Sequence, residues 1–298
     1  MFVRLQPLLV SALAALIFAA SATAGPFRPV RIAAYYPWFP EGWIHAEISP
    51  FTHYGPSLGF YDAGDPYVIE RHVRAMRWGH ISAATYSWWG RGSATDVRLA
   101  QHLAIAARHR FAFTVYYELE GYSDPTVEDL RADLEYLRDT YASSPGYLKL
   151  GGRFVVFVYG DADDGAACEV AQRWKAANAG IGAFVVLRSF RGGRACTEQP
   201  EGWHAYSANR YEFDLGRNAY AISPGFYFAK DSRPARKRHL WTWRRAVQRM
   251  TRSPAQFHYV ISYNEWGEGT AVESAIQWAS PSGYGKYLDV LHAIPERT

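Results

Sequence analysis

The chain has 298 residues, of which 49% are hydrophobic, 16% are aromatic and 20% are charged. This composition excludes disordered, collagen-like and coiled-coil proteins, because it supplies enough apolar residues for a large core. The net charge of +4 is too small to indicate a nucleic-acid-binding protein, and the 11 Trp, 21 Tyr and 16 Phe suit either a large core or a site that stacks on sugar rings.

The first 24 residues have the pattern of a secretory signal peptide. Arg4 precedes an apolar run from Leu8 to Ala20, and Ala22-Thr23-Ala24 offers small residues for cleavage. The run is shorter than the roughly 20 residues that a membrane-spanning helix needs, and no later segment is long and apolar enough to span a membrane. We expect cleavage after Ala24, one mature domain over residues 25–298, and a secreted or periplasmic location.

Strands and helices alternate along the mature chain. Short runs rich in β-branched and aromatic residues predict strands, and spaced apolar residues predict helices. The predicted strands cover Val30–Tyr36, Ala83–Trp88, Phe111–Tyr117, Phe154–Tyr159, Ala183–Leu187, Trp203–Tyr206, Ala219–Ser223 and Tyr259–Tyr263. The predicted helices cover Tyr67–Trp78, Asp96–Arg108, Thr126–Tyr141, Gly165–Ala177, Trp241–Met250 and Tyr284–Leu291. Eight strands with intervening helices predict one α/β domain, a (β/α)8 TIM barrel, in preference to a doubly wound sheet.

The predicted export decides how we interpret the two cysteines. Cys168 and Cys196 are the only pair, and an oxidising compartment favours a disulfide between them, worth roughly 3–4 kcal/mol of stability. Neither the cysteines nor the ten histidines show a spacing typical of metal ligands, so we expect no zinc site. The basic run Arg233–His239 is either a solvated loop or a binding patch.

Two glutamates lie three residues apart directly after the eighth predicted strand. Glu265 and Glu268 share a loop with Gly267 and Gly269. In a barrel this loop lies on the face that carries active sites. Two nearby carboxylates push their proton affinities apart, which suits acid–base chemistry on a glycosidic bond. The alternative is that the two glutamates cap the next segment or lie in solvent.

Other strand ends supply candidate substrate-binding residues. Glu118 and Glu120 end the third strand, where alternation would place both side chains on one face, either in the cleft or in salt bridges to arginines. For the other candidates a structural role is the alternative; they are Tyr36, Trp38, His53, Trp88, Trp89, Tyr206, Asn264 and Trp266.

Several short motifs occur in a characteristic order. They are Ala34–Trp38 (AYYPW), His53–Pro56 (HYGP), Asp65-Pro66, Tyr86–Gly90 (YSWWG), Ala221–Phe226 (AISPGF), Arg233-Pro234 and Tyr263–Thr270 (YNEWGEGT) with Glu273. In this order they resemble glycoside hydrolase family 99, which comprises endo-α-mannosidases and endo-α-1,2-mannanases, and the related family 71. The similarity runs from about Ile32 to Glu273, and the last motif is the most specific.

The resemblance implies a retaining hydrolase that uses neither metal nor cofactor. Carried over from the family, Glu265 deprotonates the sugar's own 2-hydroxyl, which displaces the leaving group and forms a 1,2-anhydro sugar. Glu268 protonates the departing oxygen and then activates water. Glu118 matches a family glutamate near the subsite before the cleaved bond. Two positions depart from the pattern: Gly267 stands where endo-mannanases typically carry His, and Ser274 stands where Pro is common.

We therefore expect an exported, monomeric hydrolase whose substrate is an oligosaccharide or polysaccharide, with an α-mannoside as the first choice and no nucleic-acid partner. Two alternatives stay open at this point. One is an endo-α-glucanase like those of family 71. The other is a non-catalytic sugar-binding barrel that takes part in polysaccharide processing or export.

Overall fold

The structure is a computed structural model that describes residues 29–160, 166–189 and 193–296. The predicted signal peptide lies outside these ranges. The strands are β1 (Val30–Tyr35), β2 (Ala83–Trp88), β3 (Ala112–Tyr117), β4 (Lys149–Leu150), β5 (Arg153–Val158), β6 (Phe184–Arg188), β7 (Gly202–His204), β8 (Glu212–Asp214), β9 (Ala219–Ile222) and β10 (Phe257–Val260). The α-helices are α1 (Pro66–Trp78), α2 (Ala94–Arg108), α3 (Glu120–Ser123), α4 (Val127–Thr140), α5 (Ala167–Ala177), α6 (Leu240–Arg252) and α7 (Lys286–His292).

Eight parallel strands form the wall of a barrel. Their order is β7-β6-β5-β3-β2-β1-β10-β9, and Ala33 of β1 lies between Ala84 of β2 and Val260 of β10. Across the remaining gap, between β7 and β9, the backbone N–H of Trp203 donates to Oδ1 of Asn218 at 3.1 Å. The (β/α)8 barrel that the alternation predicts is confirmed.

Local sequence explains where the helices begin. Asp65 accepts a hydrogen bond from the N–H of Tyr67, and Pro66 occupies the first turn of α1, where a missing N–H costs nothing. Thr126 and Asp129 form a reciprocal capping box at the start of α4. Both helices pack their apolar faces on the barrel wall and so hold the strand ends in place.

The connections after β6 and β7 depart from the regular pattern. In the described part of these connections, a 3-10 turn at Gly193–Ala195 precedes β7, and β8 pairs antiparallel with β9 in the place of a helix. Cys196, just after the turn, forms a disulfide with Cys168 in α5, with a Cα–Cα distance of 5.2 Å. This bond ties the irregular side of the barrel to a helix.

The last barrel strand is shorter than predicted at its carboxyl end. β10 ends at Val260, because Ser262 turns away from the sheet: its N–H donates to the carbonyl of Thr270, and its hydroxyl accepts from the N–H of Glu265 at 2.7 Å. The segment from Ser262 to Glu265 therefore belongs to the loop that follows β10 and carries Glu265 and Glu268. Within the described residues, no helix is long and apolar enough to cross a membrane.

Candidate active site

Three carboxylates meet at the carboxyl ends of the barrel strands. Glu118 follows β3, and Glu265 and Glu268 lie in the loop after β10. They line one small cavity of about 70 Å³. The other lining residues are aromatic: Tyr36, Trp38, Trp89, Tyr116, Tyr122, Tyr159 and Tyr206. Acidic groups surrounded by aromatic rings are suited to binding a sugar, since rings cover the apolar faces of a pyranose.

The loop after β10 wraps around the carboxylate of Glu265. Oε1 of Glu265 accepts hydrogen bonds from the backbone N–H of Gly267 at 3.0 Å and of Glu268 at 3.3 Å. The side chain is buried, and burial together with the negative charge of Glu268 raises the pKa of Glu265 well above its usual value. The two backbone hydrogen bonds act in the opposite direction and stabilise the ionised form.

Glu268 is held by a tyrosine from another strand end. The hydroxyl of Tyr206 donates to Oε2 of Glu268 at 2.6 Å. Burial raises the pKa of Glu268 to about 7, although the Tyr206 hydrogen bond and the positive charge of Arg188 both lower it. Glu265 and Glu268 together therefore hold a proton near neutral pH, which is what a pair with one acid and one base requires.

Glu118 faces the same cavity from the opposite wall. The hydroxyl of Ser87 donates to Oε1 of Glu118 at 2.7 Å, and the indole N–H of Trp89 donates to the Ser87 oxygen at 3.0 Å. Burial, with a smaller contribution from the charge of Glu268, raises the pKa of Glu118 to about 8, and the Ser87 hydrogen bond opposes this rise. Glu118 is therefore protonated near pH 7 and able to donate a hydrogen bond to a sugar oxygen.

A larger groove of about 510 Å³ adjoins the small cavity. The two share Trp38, Trp89, Tyr122, Glu265 and Glu268, so they form one cleft. The groove adds mostly apolar side chains, including Phe39, Ile44, His45, Phe51 and Phe228. Its volume suits more than one sugar ring.

Gly267 lies where the loop passes under Phe51. A Cβ atom at this position would stand 2.6 Å from Cε1 and 2.8 Å from Cδ1 of Phe51, and 3.1 Å from Oε1 of Glu265. Both ring distances are too short for a real Cβ atom, so the Phe51 ring occupies the space of a side chain at residue 267. Glycine here allows the loop to approach both the ring and the carboxylate.

A buried hydrogen-bond network supports the loop from behind. The hydroxyl of Tyr61 donates to Oε2 of Glu273 at 2.7 Å and accepts from the indole N–H of Trp266 at 3.1 Å and from the side-chain amide of Asn264 at 3.3 Å. Asn264 in turn pairs with both the N–H and the carbonyl of Tyr36, each at 2.8 Å. The neighbours of Glu265 on both sides are therefore fixed by Tyr61.

Several predicted site residues do not reach the cavity. Trp88 is fully buried on the outer side of the wall, where its indole N–H donates to Asp96. Glu120 opens α3, and its carboxylate binds Arg173 and the indole N–H of Trp174. Neither residue lines the cavity, because Trp88 follows the strand alternation outward and Glu120 lies beyond the end of β3, where it lines a neighbouring groove.

Three further candidates lie beside the cleft or behind it. The ring of His53 stacks on Tyr227 with 3.5 Å between centroids, and its Nε2 is 3.0 Å from the carbonyl oxygen of Phe228. Asn264 and Trp266 belong to the supporting network and are fully buried. These residues shape the walls and the loop, and none of the three lines the cavity or the groove.

Other lining residues escaped the sequence argument. Tyr116, Tyr122, Tyr159, Phe51 and Phe228 were not predicted as site residues. Tyr116 lies on the inward face of β3 with Glu118, so strand alternation carried the signal for it. Phe51 and Phe228 come from loops, where no regular alternation of side chains predicts which residues face the cleft. Within the described residues, no group of three or more His, Cys, Asp or Glu is arranged to hold a metal ion.

Comparison with known proteins gives the family that this chain resembles. Residues 44–247 match the model of glycosyl hydrolase family 99. The chain is 29% identical over 125 residues to the mouse glycoprotein endo-alpha-1,2-mannosidase and 30% identical over the same length to the rat protein. Each alignment covers 40% of this chain and 26% of the relative, so the match spans about a quarter of each relative's length.

A solved structure shares the fold at lower identity. The family 99 endo-alpha-mannosidase from Bacteroides thetaiotaomicron superposes with a TM-score of 0.68 at 17% identity, over 88% of this chain and 95% of that one. A second solved structure, described as a glycoside hydrolase-like protein, superposes with a TM-score of 0.58 at 14% identity. The family match covers more than half of the chain, including Glu118 and Tyr206, and ends before the loop that carries Glu265 and Glu268. The chain therefore belongs to glycosyl hydrolase family 99.

Proposed function

We propose that this protein is an exported retaining glycoside hydrolase that cleaves α-mannosidic bonds within an oligosaccharide or polysaccharide. The observation that carries the proposal is the meeting of Glu118, Glu265 and Glu268 in one aromatic cavity. Family membership and the names of the rodent and bacterial relatives support the reaction class and the α-mannoside.

The proposed first step uses the substrate's own 2-hydroxyl. Glu265 takes the proton from this hydroxyl, whose oxygen attacks the anomeric carbon while the bond to the leaving group breaks. Glu268 gives its proton to the departing oxygen. The two amides that donate to Glu265 Oε1 favour its ionised form against burial and the charge of Glu268, which raise its pKa, and the pKa of Glu268, about 7, suits an acid at neutral pH.

The proposed second step reverses these proton transfers. Glu268, now ionised, removes a proton from a water that attacks the anomeric carbon and opens the anhydro ring. Glu265 returns its proton to the 2-oxygen. The anomeric configuration is retained because it is inverted twice. Glu118, protonated near pH 7, donates to a substrate oxygen and adds no second negative charge to that of the Glu265–Glu268 pair.

The export part of the proposal has separate support. The signal-peptide pattern of residues 1–24 and a Cys168–Cys196 disulfide both fit a periplasmic or extracellular protein. The measurement is the N-terminal sequence of the protein recovered from the medium or periplasm. We expect it to begin at Gly25.

The decisive experiment is hydrolysis of defined α-mannans and α-glucans, with the anomer released followed by proton NMR. We expect cleavage of α-mannan with retention, and no turnover of a 2-deoxy or 2-fluoro analogue that lacks the internal nucleophile. Cleavage of such an analogue with retention would show that a carboxylate attacks directly. Binding of the glycans without any cleavage would favour a non-catalytic sugar-binding barrel.

A further inference from the structure

The positive charge of this protein is concentrated on one segment, residues 230–252, which leads from the cleft into α6. The segment contains nine Lys and Arg and a single acidic residue, Asp231, and so has a net charge of +8. The whole chain has a net charge of only +4. The remaining residues are therefore acidic in sum, and this one surface differs from the rest of the protein.

Most cations of this segment face solvent, and all but one of the exposed ones have no salt bridge among the described residues. Eight are exposed: Lys230, Arg233, Arg236, Lys237, Arg244, Arg245, Arg249 and Arg252. Among the residues that the structure describes, Arg249 is the one of these eight with a salt bridge, to Glu212. Arginines on other helices pair locally, as the exposed Arg74 does with Glu70 at 2.7 Å and the half-buried Arg138 with Asp139 at 2.7 Å. Unpaired arginines in such a group are available to an external anion.

The helix presents these cations in a row with an aromatic ring at one end. Arg244, Arg245, Arg249 and Arg252 are exposed, whereas the apolar side of α6 is buried in the barrel. Trp241, in the first turn, is 67% exposed, and the guanidinium of Arg245 lies 4.7 Å from its ring centroid. At 1.5 Å per residue, the row from Trp241 to Arg252 is about 16 Å long.

The basic segment begins at the wall of the cleft. Phe228 lines the larger groove, and the ammonium group of Lys230 lies 5.8 Å from its ring. Two backbone hydrogen bonds between Phe226 and Arg236, of 2.9 and 3.0 Å, then fold the chain back toward α6. Because helices run antiparallel to the strands in a (β/α)8 barrel, the Trp241 end of α6 lies on the same side as the cleft.

We propose that this surface binds the continuing chain of an acidic polysaccharide whose neutral part enters the cleft. The inference rests on the proposed function, because it extends the substrate from the cleft onto the segment 230–252. Guanidinium groups bind carboxylate and sulfate groups through paired N–H donors, and an exposed Trp stacks on a pyranose ring. A row of such groups fits a linear polymer with regularly repeated acidic sugars.

A membrane surface fits these observations less well than a polysaccharide. A helix that lies on a lipid bilayer inserts an apolar face. The apolar face of α6, which includes Trp243, Val247 and Met250, is buried, and Leu240 and Trp241 are the large apolar side chains that this helix exposes. Lipid binding is therefore an outcome that the experiment must separate from polysaccharide binding.

The test measures binding and not cleavage. The full-length chain carrying Glu268→Gln is titrated with polygalacturonate, dextran sulfate and neutral dextran at 0.15 M salt, the ionic strength of physiological solutions. We expect binding to the two acidic polymers only. The double substitution Arg244→Gln and Arg245→Gln should weaken it roughly tenfold, and Trp241→Ala should weaken it as well. Hydrolysis of a short neutral substrate by the same surface variants with Glu268 intact should be unchanged.

A matched pair on another helix is the control. Arg74→Gln and Arg77→Gln remove two exposed arginines of α1, and this pair should bind the acidic polymers as the parent does. The proposal is overturned if the two double variants weaken binding equally, or if the acidic polymers bind no better than dextran. Tighter binding to phosphatidylglycerol vesicles or to single-stranded DNA would also overturn it. This experiment measures binding to a variant that is not expected to cleave its substrate. An absence of hydrolytic activity would therefore count against the proposed function and not against the binding surface.

Discussion

The Tyr206 hydroxyl donates to Oε2 of Glu268 across a distance of 2.6 Å. Tyr206 lies two residues beyond β7, and Glu268 lies in the loop after β10, so the hydrogen bond joins two strand ends across the cleft. This bond lowers the pKa of Glu268, while burial raises it. The tyrosine thus sets both the orientation of the proposed acid and the pH at which it loses its proton.

Replacing Tyr206 by Phe removes this hydroxyl and little else. Without the hydrogen bond the pKa of Glu268 rises, so the fall of activity at alkaline pH should move upward by about one unit or less. We also expect kcat/KM at pH 6 to drop roughly tenfold, because the carboxyl group loses its fixed orientation. A pH–rate profile measures both effects. If the activity of Tyr206→Phe falls at the same alkaline pH as that of the parent, the result would argue against Glu268 as the acid.

The two proposed catalytic glutamates should respond differently to the leaving group. Each single Gln substitution should lower kcat on α-mannan by roughly 10²-fold to 10⁴-fold, since each removes a proton transfer. A 4-nitrophenyl leaving group needs little protonation. With it, Glu268→Gln should still release nitrophenol in a rapid first turnover, whereas Glu265→Gln should not.

The variant Glu135→Gln controls for a general loss of activity, because Glu135 is half-buried on α4, outside the cleft. Equal loss of the first turnover in both glutamate variants would contradict the separate roles assigned to Glu265 and Glu268.

Glu118 makes the stability of the protein depend on pH. Its pKa is about 8 in the folded protein, against an ordinary value of 4.5, so the folded state binds the proton more tightly than the unfolded chain. The free energy of unfolding therefore falls as the pH rises from about 4.5 through 8. Glu118→Gln removes this loss and should stabilise the protein at pH 8 by on the order of 4 kcal/mol, with little difference at pH 4. Urea unfolding of both proteins at pH 4 and pH 8 measures this difference in the free energy of unfolding. An equal difference at the two pH values would contradict the raised pKa of Glu118.

Tyr61 offers a test of the supporting network. Tyr61→Phe removes the hydroxyl shared by Glu273, Asn264 and Trp266, and we expect kcat to fall roughly tenfold with KM little changed, because the loop that holds Glu265 loses its anchor. Tyr220→Phe is a matched control, since Tyr220 also donates to a carboxylate, Glu212, at 2.7 Å but lies on β9 away from the cleft.

Tyr220→Phe should lose about 1 kcal/mol of stability, the usual value of one hydrogen bond, and Tyr61→Phe should lose more, because its hydroxyl makes three. Thermal unfolding and steady-state kinetics of the two proteins separate a positioning effect from a folding effect. An equal decrease of kcat in both variants would remove Tyr61 from the positioning of the loop.

The disulfide should matter for stability and not for chemistry. Cys168 and Cys196 are separated by 28 positions, so replacing both with Ser should lower the free energy of unfolding by about 3–4 kcal/mol. The folded double variant should keep the kcat of the parent at 25 °C, because neither cysteine lines the cleft. Denaturant unfolding and kinetics on the same samples test both statements; a loss of kcat in the folded protein would link the bond to the cleft.

Strand alternation decided how well the sequence predicted the site. Ser87 points into the barrel and holds Glu118, whereas its neighbour Trp88 points outward. The prediction of Trp88 as a cleft residue rests on its aromatic ring and does not take this two-residue period into account. Tyr36, Trp38, Trp89, Tyr206 and the three glutamates could be predicted because they follow the carboxyl ends of parallel strands, which a barrel gathers on one face.

Other features could not be read from sequence because they depend on where the chain turns. Glu120 shares no face with Glu118, since β3 ends at Tyr117 and α3 begins at Glu120. Phe51 and Phe228 enter the groove from loops distant in sequence, and only the folded backbone brings them near Gly267. The barrel itself was predictable, because the alternation of strands and helices is a local signal repeated along the whole chain.

The packing of Phe51 over Gly267 has a consequence for how this cleft can change. Members of the family that carry His at this position cannot be imitated here by one substitution, because the new Cβ would stand 2.6 Å from the Phe51 ring. A smaller residue at position 51 has to be acquired first or together with the histidine. For engineering, the two positions are therefore linked: a side chain at residue 267 needs the space that the Phe51 ring now fills.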